Sequence, residues 1–203
     1  MPASKSTRTS TTNQPASKSP RKPAAKAAAA RAPRAQDATA LLRADHKKVD
    51  ELFKDFEKSR SSARKAMLAQ QICLELTVHT QIEEEIFYPA LAEALRDKKL
   101  VPEAIVEHQS IKDLIAQVKD GSPEDEMYDA KVHVMSEWVK HHVKEEHTEM
   151  FPKARKTRLD LKALGAEMAE RKAQLMAEGS TELPTRSRSA ASRLGNGAAH
   201  AMR

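Results

Sequence analysis

From about Ala38 onward, apolar residues recur every three or four positions, the period of helices that turn one face inward. Leu42, His46, Val49, Phe53 and Phe56 stand at spacings of 4, 3, 4 and 3, so the first predicted helix carries a histidine at a core position. Ser61 and Ser62 end it and can cap the next. The second helix puts Leu68, Ile72, Leu76, His79, Glu83 and Ile86 or Phe87 on one side. Pro89 is expected to kink its end, with Ala90 to Leu95 adding another turn. A third helix begins near Pro102 and shows Ile105, His108, Ile111 or Lys112, Ile115 and Val118 before Gly121 stops it. Ser122, Pro123, Glu124 and Asp125 then supply an N-cap, a proline for the first helical position and acids for the first turn. The fourth helix they open runs through Met135, Trp138, His142 and Glu146 to about Met150.

Short linkers make neighbouring helices antiparallel, which predicts an all-α, up-down-up-down four-helix bundle over residues 38–155. A fifth amphipathic stretch over 156–179 carries Leu159, Leu164, Met168 and Leu175. It is expected either to fold back on the bundle or to pair with another chain as a homodimer; Gly165 counts somewhat against it as a helix.

Composition sharpens this picture at the ends. The chain of 203 residues carries a net charge of +6, but residues 1–36 hold eight Lys or Arg and no acid, and residues 180–203 hold four Arg against Glu182. What lies between has 23 basic and 28 acidic residues, a balance of −5. Residues 1–37 and 180–203 therefore read as disordered basic tails flanking a mildly acidic body. Such tails can hold nucleic acid by charge alone, without reading its sequence, and serve equally well as solubilising arms. With 3% aromatic residues and the single Cys73, the chain fits a helical protein of a reducing compartment, and a cytoplasmic location is expected. No apolar run is long enough to cross a membrane.

The informative chemistry is a repeat. His79 and Glu83 stand four residues apart, and the same pair returns as His142 and Glu146. Each pair is followed by an aromatic residue and a proline, Tyr88-Pro89 and Phe151-Pro152, and each is preceded by one more histidine, His46 and His108. The separations, 33 from His46 to His79 and 34 from His108 to His142, are nearly equal. Residues four apart share one helix face, so each pair can offer a nitrogen and an oxygen to one ion. Six inward-facing polar side chains would be costly to bury without metal. Imidazoles and carboxylates without a thiolate suit iron, manganese or zinc, and two carboxylates able to bridge point to two ions. Ferritin-like bundles use Glu-x-x-His, which occurs nowhere in this chain.

The order His46, His79-x-x-x-Glu83, His108, His142-x-x-x-Glu146, with Glu-Glu-Glu-Ile-Phe-Tyr-Pro and Glu-Met-Phe-Pro, resembles the hemerythrin HHE cation-binding domain over about residues 38–155. The resemblance implies a four-helix bundle with a non-haem di-iron centre that binds dioxygen or a related small molecule such as nitric oxide or peroxide. It makes the four histidines terminal ligands, with Glu83 and Glu146 bridging two irons beneath an oxo or hydroxo group; manganese and zinc fit less well. The expectation is a metal-binding protein for sensing, storage or stress response rather than an enzyme. The alternatives are a di-iron peroxidase or oxidase, and a DNA-associated protector against iron and peroxide.

Two departures stand out. Oxygen-carrying hemerythrins have a further histidine where this chain has Lys112, and an aspartate where it has His147. A missing ligand would leave an open position, which favours turnover over reversible carriage. Among neighbouring residues, His141 with Glu145 offers a rival frame one residue out of register, which the proline spacing disfavours. Glu84, Glu85 and His147 are expected on flanking faces, where one could replace the missing ligand. Glu75 is the expected acceptor for an imidazole N–H. His133 is expected to lie away from the site. Cys73, Phe87, Tyr88 and Trp138 are read as packing residues.

Overall fold

The computed structural model describes residues 36–96 and 98–182, so nearly all of both basic tails lies outside the described residues. The described residues form helices and no strands. Helix α1 spans Ala38–Lys58. Helix α2, Ser62–Ile82, continues through a wide π-helical turn, π1 (Glu83–Phe87), into α3 (Tyr88–Leu95). Helix α4 spans Leu100–Lys119. Helix α5, Tyr128–Glu145, continues in the same manner through π2 (Glu146–Met150) into α6 (Phe151–Ala154). Helix α7 is Leu161–Glu182.

Caps fix the starts of the first two rods. The Asp37 carboxylate accepts from the Ala40 N–H at 2.9 Å, and the Ser61 hydroxyl from the Arg64 N–H at 3.4 Å. Cross-links show the direction of each neighbour. Lys48 meets Glu75 while Asp55 meets Arg64, so α1 and α2 are antiparallel; His142 meets Glu107 near one end of α4 and α5, whose other ends meet at Gly121 and Tyr128. The four rods form the expected up-down-up-down bundle.

Two apolar clusters fill it. One gathers Leu42, Ile82, Phe87, Leu91, Met150 and Phe151; the other Phe53, Phe56, Ile72, Leu76, Ile115 and Met135. Between them lies a buried polar layer containing His46, His79, Glu83, His108, His142 and Glu146. Each rod contributes apolar residues above and below that layer, so packing at both ends pins the polar side chains at a common height.

Some local expectations change. Pro89 produces no break, because the loosened turn π1 lies just before it: the Tyr88 N–H reaches back five residues to the Glu83 carbonyl. Ser122–Asp125 does not start α5. The Asp125 carboxylate turns back to accept from the Ser122 N–H at 2.7 Å, closing a separate turn, and the helix begins at Tyr128. Trp138 and Ile105, placed on inward seams by periodicity, are each 45% exposed; Val139 and Ala104, one position away, are buried instead.

Helix α7 folds back on its own chain, seating Met168 and Leu175 against the bundle. It runs alongside α1 and α2, with Lys172 on Asp45 and Arg171 on Glu85. Gly165 is the reason it fits. A Cβ there would stand 2.2 Å from the Gln36 carbonyl oxygen and 2.7 Å from the Ala38 nitrogen, so glycine permits backbone-to-backbone contact where α7 crosses the start of α1.

Candidate metal centre

All six residues singled out by the repeat meet in the polar layer. His46, His79, Glu83 and Glu146 form one group and Glu83, His108 and His142 a second, with the potential donor atoms of each group within 4.8 Å of one another. Glu83 belongs to both. The His46 and His79 Nε2 atoms are 3.0 Å apart, with Glu146 Oε2 3.1 Å from the former and Glu83 Oε2 3.2 Å from the latter. On the other side, the His108 and His142 Nε2 atoms are 3.1 Å apart; Glu83 lies 3.4 Å from His108, and Glu146 3.7 Å from His142.

The outer ring nitrogens explain why this layer calls for cations. His108 Nδ1 is 2.9 Å from Glu84, and His142 Nδ1 is 2.7 Å from Glu107. Carboxylates only accept, so both imidazoles donate outward from Nδ1. Their Nε2 lone pairs are then left facing each other at 3.1 Å. Bare lone pairs at that distance repel unless a cation lies between or beside them. Two buried carboxylate oxygens, Glu83 Oε1 and Glu146 Oε2, have no hydrogen-bond donor either. The donor set fits metal ions held by nitrogen and oxygen.

The titration behaviour of the metal-free layer tells the same story. Burial, joined by the charge of Glu146, pushes the Glu83 carboxyl well above its ordinary range. Burial opposes ionisation of Glu146 as well, but the facing His46 ring and the nearby His142 and His79 imidazoles hold its carboxyl well below that range. Burial lowers His46 to about 4 and His108 to about 2, keeping both rings neutral and able to act as ligands. Burial also opposes a charge on His142, yet Glu107 and Glu146 raise it above its usual value. A proton on its Nε2 would donate to the His108 lone pair across the 3.1 Å gap.

A seventh polar group enters the layer. The Tyr88 hydroxyl lies 3.2 Å from Glu146 Oε1, 3.2 Å from His108 Nε2, 3.4 Å from Glu83 Oε2 and 3.5 Å from His142 Nε2. In a regular α-helix, Tyr88 would sit roughly 140° around the axis from Glu83, since each residue turns by about 100°. The wider turn of π1 brings both to one face. Tyr88 was read from sequence as packing, and the ring is indeed buried; its hydroxyl is the part that was missed. The preserved distance from each His-x-x-x-Glu pair to its aromatic-proline pair was the available signal.

The surrounding residues divide as follows. Lys112 does not enter the layer; it donates to both Glu84 oxygens at 2.7 and 2.6 Å and so holds the carboxylate that orients His108. His147 lies 2.9 Å from His46 Nδ1, behind a candidate ligand rather than among them. Glu75 does not serve an imidazole: it pairs with Lys48 at 2.5 Å, and Asp45 Oδ2 is the carboxylate oxygen nearest His79 Nδ1, at 3.7 Å. Asp45 also receives Lys172 from α7. Glu85 faces Arg171, and His133 lies beside Glu57, well away from the layer. Phe87 and Cys73 pack in the core as expected; burial raises the thiol to about 11, which leaves it inert at neutral pH. No helix among the described residues is long and apolar enough to cross a membrane.

Comparison with known proteins agrees with this geometry. A solved hemerythrin HHE cation binding domain-containing protein from Mycobacterium kansasii is similar at a TM-score of 0.63 and 26% identity, over 75% of this chain and 95% of that one. A DNA nickase of Nostoc sp. (strain PCC 7120 / SAG 25.82 / UTEX 2576) is 29% identical over 111 residues, 55% of this chain. The matched region is only 31% of the nickase. The sequence model of the hemerythrin HHE cation binding domain matches residues 37–154, the segment that builds the four rods and their polar layer. The chain belongs to the hemerythrin HHE cation-binding family.

Proposed function

We propose that the polar layer holds a non-haem di-iron centre that binds dioxygen or a related small molecule, nitric oxide or peroxide. His46, His79, His108 and His142 would be terminal ligands, with Glu83 and Glu146 lying between the two ions. The observation that carries this reading is the pair of opposed imidazoles, His46 with His79 and His108 with His142, with Glu83 reaching both pairs. Bound iron supplies the electrons for dioxygen chemistry that none of these side chains can provide.

The chain's own residues limit what can reach the layer. A small cavity of about 10 Å³ borders the four histidines, with Val49, Leu76, Ile111 and Val139 among its lining residues. That is room for about one water-sized guest. A diatomic gas or peroxide is thus favoured over an organic substrate. The Tyr88 hydroxyl, whose proton is held well above the usual phenol range by burial and by Glu83 and Glu146, is placed to donate a hydrogen bond into the layer. Protein purified without added metal should carry about two irons per chain, and its ultraviolet–visible spectrum should change when dioxygen or nitric oxide is admitted. A spectrum indifferent to both, in iron-loaded protein, would rule the reading out. Steady peroxide consumption would instead favour the peroxidase alternative.

A nucleic-acid role is supported by the eight basic residues within 1–36. The likeness to the nickase spans too little of that protein to bring its activity across. DNA retention that weakens steeply with salt, and disappears when residues 1–36 are deleted, would support this role for the arms.

Glu83 offers a test of opposite signs. Its folded-state pKa is raised, so its contribution to stability is present below the ordinary carboxyl value of 4.5 and lost as pH rises. Glu83→Gln should therefore stabilise metal-stripped protein by about 1–2 kcal/mol, more at about pH 8 than at about pH 5. The same substitution should destabilise metal-loaded protein. Thermal melts of both forms at both pH values would show it.

A further inference from the structure

The rival frame noticed in the sequence, His141-x-x-x-Glu145, is left unused by the buried layer. The two residues lie one turn apart on the outer side of α5, and Glu107 of α4 faces them. His141 Nε2 is 3.4 Å from Glu145 Oε1 and 3.6 Å from Glu107 Oε1, and one donor atom from each residue lies within 4.8 Å of the other two. The His141 side chain is 63% exposed, and the group borders a solvent-open cleft with Lys99, Pro102, Glu103 and Val106 on its walls.

From this we infer a second, exchangeable divalent-cation site on the surface, built from Glu107, His141 and Glu145. Its donor set, one imidazole nitrogen and two carboxylate oxygens, draws on the same donor types as the interior groups, with one imidazole fewer and the remaining positions open to water. Two carboxylates balance the charge of a divalent ion. Glu145 is the last residue of α5 before π2, which fixes it on the same side of the rod as His141.

Glu107 makes this more than a chance surface cluster. Its Oε2 accepts from the buried His142 ring at 2.7 Å, while Oε1 faces His141. One carboxylate thus spans the wall between solvent and the polar layer and is anchored from inside, so a donor of the outer site is held in place before any ion arrives. An exposed Glu-His pair on a helix lacks that anchoring.

Cobalt(II) is a suitable probe, because its visible absorption reports coordination by nitrogen and oxygen. The full chain, loaded with iron and freed of excess metal, would be titrated with cobalt(II), and elemental analysis beforehand would read the buried centre separately. Wild type should take up one further ion with roughly micromolar affinity. His141→Ala and Glu145→Gln should weaken that uptake at least about tenfold and leave the buried metal content unchanged. His133→Ala, at an exposed histidine elsewhere on α5, should bind as wild type does. No further ion in wild type, or an unchanged titration in His141→Ala, would overturn the inference. Either result can be read whether or not the interior proves to hold two irons.

Discussion

Replacing His79 or His142 by alanine should empty the buried centre, with metal content per chain falling from about two ions to one or none by elemental analysis. Each substitution removes one of the opposed imidazoles and leaves its partner facing a void, with Glu83 and Glu146 still fully buried. With one donor fewer the site binds its ions more weakly, and the buried carboxylates lose the cation charge that offsets their burial. Lys112→Ala is the informative control. Lys112 stands one turn after His108 on α4, yet it contacts Glu84 and stays outside the layer. Its loss should leave metal content intact and at most loosen the orientation of His108. Undiminished metal in both histidine variants, or a loss in the lysine variant equal to theirs, would contradict the ligand assignment.

Gly165→Ala should lower the melting temperature by roughly 5–10 °C, corresponding to about 2–3 kcal/mol for a domain of this size. The added methyl would meet the Gln36 carbonyl oxygen at 2.2 Å, the Asp37 carbonyl carbon at 2.7 Å and the Ala38 nitrogen at 2.7 Å. These are main-chain atoms next to the Asp37 cap, so no side-chain rotation can relieve the overlap. Either α7 lifts away, uncovering Met168 and Leu175, or the start of α1 is displaced with its cap. Gly179→Ala makes a useful comparison. There the methyl would meet the Leu74 side chain at 2.4 Å, an obstacle that can move, so a smaller loss is expected. Calorimetry of the two variants would rank them.

The bundle and its six inward polar residues were legible because both follow from helical spacing. His46 continues an apolar seam, and His79 with Glu83 occupies successive turns of one face. Spacing could not reveal the outer partners. Asp45, Glu84 and Glu107 reach imidazoles on other rods or across the bundle, and their placement depends on how the rods are rotated against each other. The failure at Glu75 has the same origin: four residues before His79 was the right offset, but Lys48 of α1 was the nearer partner. Trp138 and Ile105 were misplaced because each neighbours a smaller residue that also suits the inward face, and near such a boundary periodicity alone does not choose. Gly165 read as a weak point of a helix, since a sequence records low propensity but does not show which backbone will press against it.

The two halves of the layer are alike in motif but differ in what stands behind them. His46 and His79 are backed by His147 and by Asp45, which α7 reaches through Lys172; His108 and His142 are backed by Glu84 and Glu107, with Tyr88 leaning in beside them. Two firm carboxylate acceptors make the second pair of imidazoles richer in electron density than the first. The repeated motif thus builds a lopsided cradle, and its two seats should differ in how tightly they hold an occupant, so that a chelator empties them in two steps rather than one.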